Sequence, residues 1–122
     1  MEFTFTERNG TRVAIVQATG IVIHEVQDAL DMMAEARYQD CDNIIVKEEH
    51  LDPSFFDLKT GMAGEILQKF SNYRASLAIV GDFTKYKSKA LQDFIRESNK
   101  FRRVNFVVSV EEGMERMRAG DG

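Results

Sequence analysis

The chain has 122 residues, 43% apolar and 30% charged, which fits one compact domain with one core and excludes disorder or a two-domain layout. A net charge of -4 argues against bulk nucleic-acid or anionic-membrane binding, since both reward a basic excess. The single cysteine, Cys41, excludes an intrachain disulfide and a cysteine zinc cluster.

Residues 3–6 and 13–16 alternate or run apolar around Asn9-Gly10, the dipeptide best suited to a tight hairpin turn, so two antiparallel strands are expected. After Ile21-Val22-Ile23 a first amphipathic helix is expected over 25–38, with Val26, Ala29, Leu30, Met33 and Arg37 at helical spacing. Ile44-Ile45-Val46 is too short for a helix and rich in β-branched residues, which suits a strand covered on both faces. Asp52-Pro53 breaks regularity, and Ala63, Ile66, Leu67, Phe70 and Tyr73 then mark a second helix over 61–73. A strand over 76–80 ends at Gly81-Asp82, and a third helix comes next through Ala90, Leu91, Phe94 and Ile95. Residues 104–108 read as a last strand, and Ser109 with Glu112 as a capping box opening a last helix. The order β-β-α-β-α-β-α-β-α predicts a single α/β domain over 1–119, a mixed sheet with an N-terminal hairpin and helical crossovers, and a frayed tail at 120–122.

With no basic start, no apolar run of signal-peptide length and nothing near the roughly 20 apolar residues of a membrane span, the cytoplasm is the expected compartment. The basic run from Lys85 through Arg103 reads as a solvated helix face. Neither nucleic acid nor membrane is expected as a partner.

In this order each helix begins just after a strand ends. Asp57, Thr60, Gly61, Asp82, Thr84 and Ser109 should therefore lie along the carboxyl rim of the sheet, where open α/β sheets bind ligands. Two readings of the segment Phe55-Phe56-Asp57-Leu58-Lys59-Thr60-Gly61 stand side by side. In one, Thr60 caps the second helix, and Gly61 and Gly64 let that helix approach a strand closely. In the other, Thr60 is a phosphate acceptor or an anion-contacting hydroxyl at a helix start that tolerates negative charge. Phe55-Phe56 is expected in the core, while His24, His50 and the pair Glu48-Glu49 are expected at the surface. Neither histidine has a serine or cysteine neighbour that forms a nucleophilic pair, and carboxylates flank Cys41 in Asp40-Cys41-Asp42. Asp57 and Asp82 offer only a weak pattern for a hard cation, so no metal and no cofactor is expected.

Four stretches, Phe56-Asp57-Leu58-Lys59-Thr60-Gly61, Ala63-Gly64-Glu65-Ile66-Leu67-Gln68-Lys69-Phe70, Leu77-Ala78-Ile79-Val80-Gly81-Asp82-Phe83 and Asp93-Phe94-Ile95-Arg96-Glu97-Ser98-Asn99, resemble a bacterial family known as domain of unknown function 4180. More remotely, the element order is similar to the sulfate-transporter and anti-sigma-factor-antagonist (STAS) domain. That likeness implies a regulatory hydroxyl at Thr60, directly before the glycine that opens the second helix. The expectation is thus a non-enzymatic interaction or regulatory module that contacts a protein partner through Asp57, Thr60, Gly61 and Gly64. The alternative is a small-molecule or anion-binding domain, in one version a hydrolase, using Asp57, Thr60, Asp82, Thr84 and Lys85. A homodimer on the hairpin edge strand is also open.

Overall fold

The computed structural model describes residues 1–117, so the expected tail at 120–122 lies outside the described residues. Strands β1 (Glu2–Arg8) and β2 (Thr11–Gln17) form the hairpin, and Asn9 and Gly10 take the positive φ angles, 52° and 82°, that its two-residue turn demands. There follow α1 (Val26–Tyr38), β3 (Asn43–Lys47), α2 (Met62–Asn72), β4 (Ser76–Val80), α3 (Lys89–Phe101), β5 (Val104–Val107) and α4 (Val110–Arg116). The α/β order and the hairpin are those read from the sequence.

Five strands stand in the order β1-β2-β3-β4-β5, with β1 antiparallel to β2 and every later pair parallel. Parallel neighbours that follow one another in sequence need right-handed crossovers, which put their helices on the same side. Accordingly Ala14, Val16, Ile44, Val46, Leu77, Ile79, Val104 and Phe106 face a core shared with buried residues of α1, α2 and α3. Phe55 and Phe56 belong to that core, as expected.

The opposite face presents Val13, Ile45, Ala78 and Val107, and α4 with the residue that follows it covers this face through Met114 and Met117. Gly113 makes this cover possible. A Cβ there would fall 3.2 Å from the Ala78 Cβ and 3.3 Å from the Ile45 Cδ1, so the helix backbone rests almost on the sheet. Arg8 of β1 holds the flank of α4 through Glu111 at 2.8 Å.

Local signals explain the helix starts. Asp28 accepts from the N–H groups of His24 and Glu25 ahead of α1, and the Ser88 hydroxyl accepts from Leu91 N–H at 3.1 Å to open α3. Ser109 accepts from Glu112 N–H at 3.1 Å, as the capping box requires, but the Glu112 carboxylate reaches one residue further back, to Val108 N–H at 2.9 Å.

Gly61 at the cap of α2 and Gly64 within it do not play the part expected of them. Gly61 and Gly64 do not bring that helix close to a strand, because a Cβ at either would meet nothing within 4 Å. Gly61 is present for its φ of 76°, and Gly64 is an exposed helix position with neither constraint. Gly64→Ala should therefore raise stability by about 0.5–1 kcal/mol, whereas Gly113→Leu should lower it by about 1–3 kcal/mol through overpacking. Urea unfolding of both variants measures this, and an unchanged Gly113→Leu midpoint would contradict the close approach of α4.

Candidate functional site

Because β3, β4 and β5 are parallel, the segments that leave their carboxyl ends lie along one rim. The exit from β3 runs through three short 3-10 turns, Glu48–His50, Pro53–Phe56 and Leu58–Thr60, and the exit from β4 through a fourth, Phe83–Lys85.

The first turn is strapped to the β2–α1 connection. His50 O accepts from the N–H groups of Val22 at 2.8 Å and Ile23 at 3.1 Å, and the His50 Nδ1 lies 2.8 Å from Gly20 O. A carbonyl can only accept, so Nδ1 carries the proton. His50 is buried rather than superficial because its ring turns inward to make this bond, and an Ile23–Leu51 bridge extends the strap. His24 stays exposed, as expected.

Glu48 is the centre of the rim. The sequence suggests a solvated turn for it, yet its side chain is only 14% exposed and lies against Gly81, where a Cβ would fall 2.9 Å from the Glu48 Cβ and 2.5 Å from its Oε1. Only glycine at the exit of β4 leaves room for it. The carboxylate accepts from the Tyr86 hydroxyl and pairs with Lys85 Nζ at 2.9 Å. Tyr86 in turn stacks on Phe56 with ring centres 4.9 Å apart, and Phe56 lies 6.0 Å from Phe83. Burial pushes the Tyr86 phenol well above its ordinary range, and the bond to Glu48 and that carboxylate's charge push the same way. One acidic side chain thus joins the exits of two neighbouring strands.

Beside this tie opens a cleft of about 340 Å³, lined by Ile21, Glu48, Leu51, Phe56, Lys85 and Tyr86. Its walls come from the β2–α1 connection and from the β3 and β4 exits, which are far apart in sequence.

Of the residues singled out from the sequence, Lys85 lines the cleft, whereas Asp57, Thr60 and Gly61 lie in the turn that leads into α2, Gly64 within α2, Asp82 and Thr84 in the β4 exit, and Ser109 at the start of α4. Asp82 caps the β4 exit, accepting from Thr84 Oγ1 at 2.6 Å and Thr84 N–H at 3.1 Å. Those bonds, the hydroxyl first, hold its carboxyl below the usual range, with a smaller pull from Lys85. Asp57 likewise closes its own turn, accepting from Lys59 N–H at 3.1 Å. Thr60 does not cap α2 as expected; Gly61 holds the cap position, and the Thr60 hydroxyl accepts from Met62 N–H at 3.2 Å. Its Oγ1 also lies 2.8 Å from Ser54 O and 2.9 Å from Asp57 O, so its one hydrogen latches the loop onto the preceding turn. Each aspartate therefore serves its own turn, and among the described residues no group of three His, Cys, Asp or Glu side chains is arranged to hold a metal ion. Cys41 is buried and bonds to the carbonyls of Arg12 and Asn43, and burial more than the neighbouring Asp42 raises its thiol pKa.

The family model described as a domain of unknown function (DUF4180) matches residues 8–117. The chain belongs to this family. Its match takes in the whole rim, from Ile21 to Tyr86. No curated protein and no solved structure matches this DUF4180 domain. Among its described residues no helix is long and apolar enough to cross a membrane.

Sequence reasoning places Asp82, Thr84 and Lys85 on the rim but misses Glu48, Phe56 and Tyr86 as its organisers. The available signal is position: Glu48 is the first residue beyond a buried strand, and Gly81 the first beyond the next. Folded Tyr86 keeps its proton where the unfolded chain loses it, so stability should fall as pH rises above about 10. Tyr86→Phe is expected to flatten that fall in urea midpoints taken from about pH 9 to about pH 11, and an equally steep fall in the variant would remove Tyr86 as its source.

Proposed function

We propose that the domain is a non-enzymatic regulatory binding module, working in the cytoplasm, whose contact surface for a protein partner is the carboxyl rim: the loop 57–64 with the adjoining cleft. The observation that carries this reading is how the cleft's polar groups are used. Glu48 is satisfied by Lys85 and Tyr86, which leaves exposed Ile21 as the apolar wall of a cleft backed by the buried side chains of Leu51 and Phe56 and edged by charge. Such a surface suits one apolar anchor residue of a partner, desolvated at the centre and ringed by polar groups.

Thr60 is the control point in this reading. It is exposed, yet its hydroxyl holds the loop to Ser54, Asp57 and Met62. A phosphoryl group there removes the donor, adds nearly two negative charges beside Asp57 and frees the loop to change shape. The proposed likeness to the STAS domain belongs to the same reading. The shared element order and the hydroxyl directly before the glycine that opens α2 support it.

A second reading places a small molecule or anion in the same cleft, which Lys85 lines, with Asp82 and Thr84 in the turn that carries Lys85. A volume of about 340 Å³, within the range of ligand pockets, favours it.

Affinity capture from the native host separates the two. The partner retained by the wild-type domain should bind Ile21→Glu about tenfold more weakly, a change of about 1.4 kcal/mol, and Thr60→Ala and Thr60→Glu should differ from one another. Equal capture by all four proteins would contradict the rim as contact surface. A metabolite released on denaturing the wild-type protein and absent from Ile21→Glu would select the second reading.

A further inference from the structure

The two edges of the sheet are finished differently. On β5, the carbonyls of Arg103 and Val107 accept from Leu77 and Gly81, so the alternate residues Val104, Phe106 and Val108 face outward. Side chains meet each of them. The Ser98 hydroxyl donates to Val104 O, and Glu112 accepts from Val108 N–H at 2.9 Å. Asn99 makes both bonds that a further strand would make to Phe106, accepting from its N–H at 2.7 Å and donating to its carbonyl at 3.2 Å. That edge is closed to another chain.

The β1 edge carries no such cover. In a two-residue hairpin turn the flanking residues, here Arg8 and Thr11, form the closing hydrogen-bonded pair. Thr6, Thr4 and Glu2 therefore also bond inward to β2, while Phe3, Phe5 and Glu7 turn their N–H and C=O groups outward. Among the described residues no side chain bonds to those outward groups. The strand runs seven residues with continuous register, without proline or bulge, and it carries Phe3 and Phe5 half-buried with ring centres 5.7 Å apart.

We infer that β1 pairs antiparallel with β1 of a second copy about a two-fold axis through Phe5, joining the two sheets into one. The strand Glu2-Phe3-Thr4-Phe5-Thr6-Glu7-Arg8 is self-complementary in that register. Glu2 meets Arg8 of the second copy on both sides of the axis, Thr4 meets Thr6, and Phe5 meets Phe5. The hydrogen-bonded positions coincide too, since Phe3 falls opposite Glu7 and all of these groups already point outward. Shifting by two residues in either direction leaves Glu2 and Arg8 without each other, so no other allowed register uses the whole strand. Arg8 is oriented by Glu111 at 2.8 Å and more loosely by Glu115 at 3.8 Å, and of its five N–H groups those not directed at these two carboxylates are left for the incoming one. An isologous contact of this kind asks for a strand complementary to itself, and that is the property this edge has.

The test is light scattering together with register-specific crosslinking of the full chain. The mass should be twice the 13.9 kDa of one chain and should fall to a single chain in Glu7→Pro. That substitution removes an outward N–H and no hydrogen bond to β2, and proline is tolerated on edge strands, so the thermal melting curve should keep its two-state shape. Thr4 and Thr6 of the second copy form a non-hydrogen-bonded pair with Cα atoms about 4.5 Å apart, within disulfide reach, whereas Thr4 lies about 7–8 Å from its own counterpart. Oxidising a mixture of Thr4→Cys and Thr6→Cys proteins should give the mixed disulfide, and neither protein alone should crosslink. A monomeric mass up to millimolar concentration overturns the inference. So does a dimer that survives Glu7→Pro, or one that crosslinks through Thr4→Cys alone.

Discussion

Each strand of the parallel ladder lies beside its predecessor in sequence, and this adjacency sets the placement of the helices and of the rim. Right-handed crossovers between such strands commit α1, α2 and α3 to one face. The other face is left to α4, which can cover it only because Gly113 brings its backbone against Ala78 and Ile45. The same adjacency delivers the exits of β3 and β4 side by side at one rim, where a single side chain can span them.

Glu48 is that side chain, and its setting is a compromise between burial and charge. A carboxylate with little exposure is unfavourable unless it is paired and hydrogen-bonded, and here Lys85 supplies the charge and Tyr86 the hydroxyl. Tyr86 in turn rests on Phe56, which leads directly into the turn closed by Asp57 and latched by Thr60. The tie at Glu48 and the latch at Thr60 are thus linked through one aromatic stack. Between Thr60 and the cleft lie the 54–57 segment and Phe56.

How much of this is legible in the sequence depends on the range of the interactions involved. Asn9-Gly10 announces its turn, Ser109 its helix, and the β-branched run at Ile44-Ile45-Val46 its buried strand, because each signal acts within a few residues. Thr60 is legible as a residue at a helix start. Its actual bond to Ser54 O, six residues earlier, depends on how the intervening turn folds. Gly64 and Gly113 look alike in sequence, yet only the second touches the sheet, since close approach is a property of tertiary packing. Glu48 and Tyr86 are 38 residues apart, and Asn99 seals Phe106 from a different element, so no local pattern could join them. His50 is misread for the same reason, because its partner is the carbonyl of Gly20 in another connection.

Glu48 joins the β3 and β4 exits into one unit through Tyr86. A double-mutant cycle of Glu48→Ala and Tyr86→Phe, read from urea unfolding at neutral pH, tests it most directly. Residues that share a hydrogen-bonded network should show a coupling energy of about 0.5–3 kcal/mol, so the double variant should lose less stability than the two single losses added together. Additivity within about 0.3 kcal/mol would mean that the two side chains act independently, and the rim would not be the single unit described.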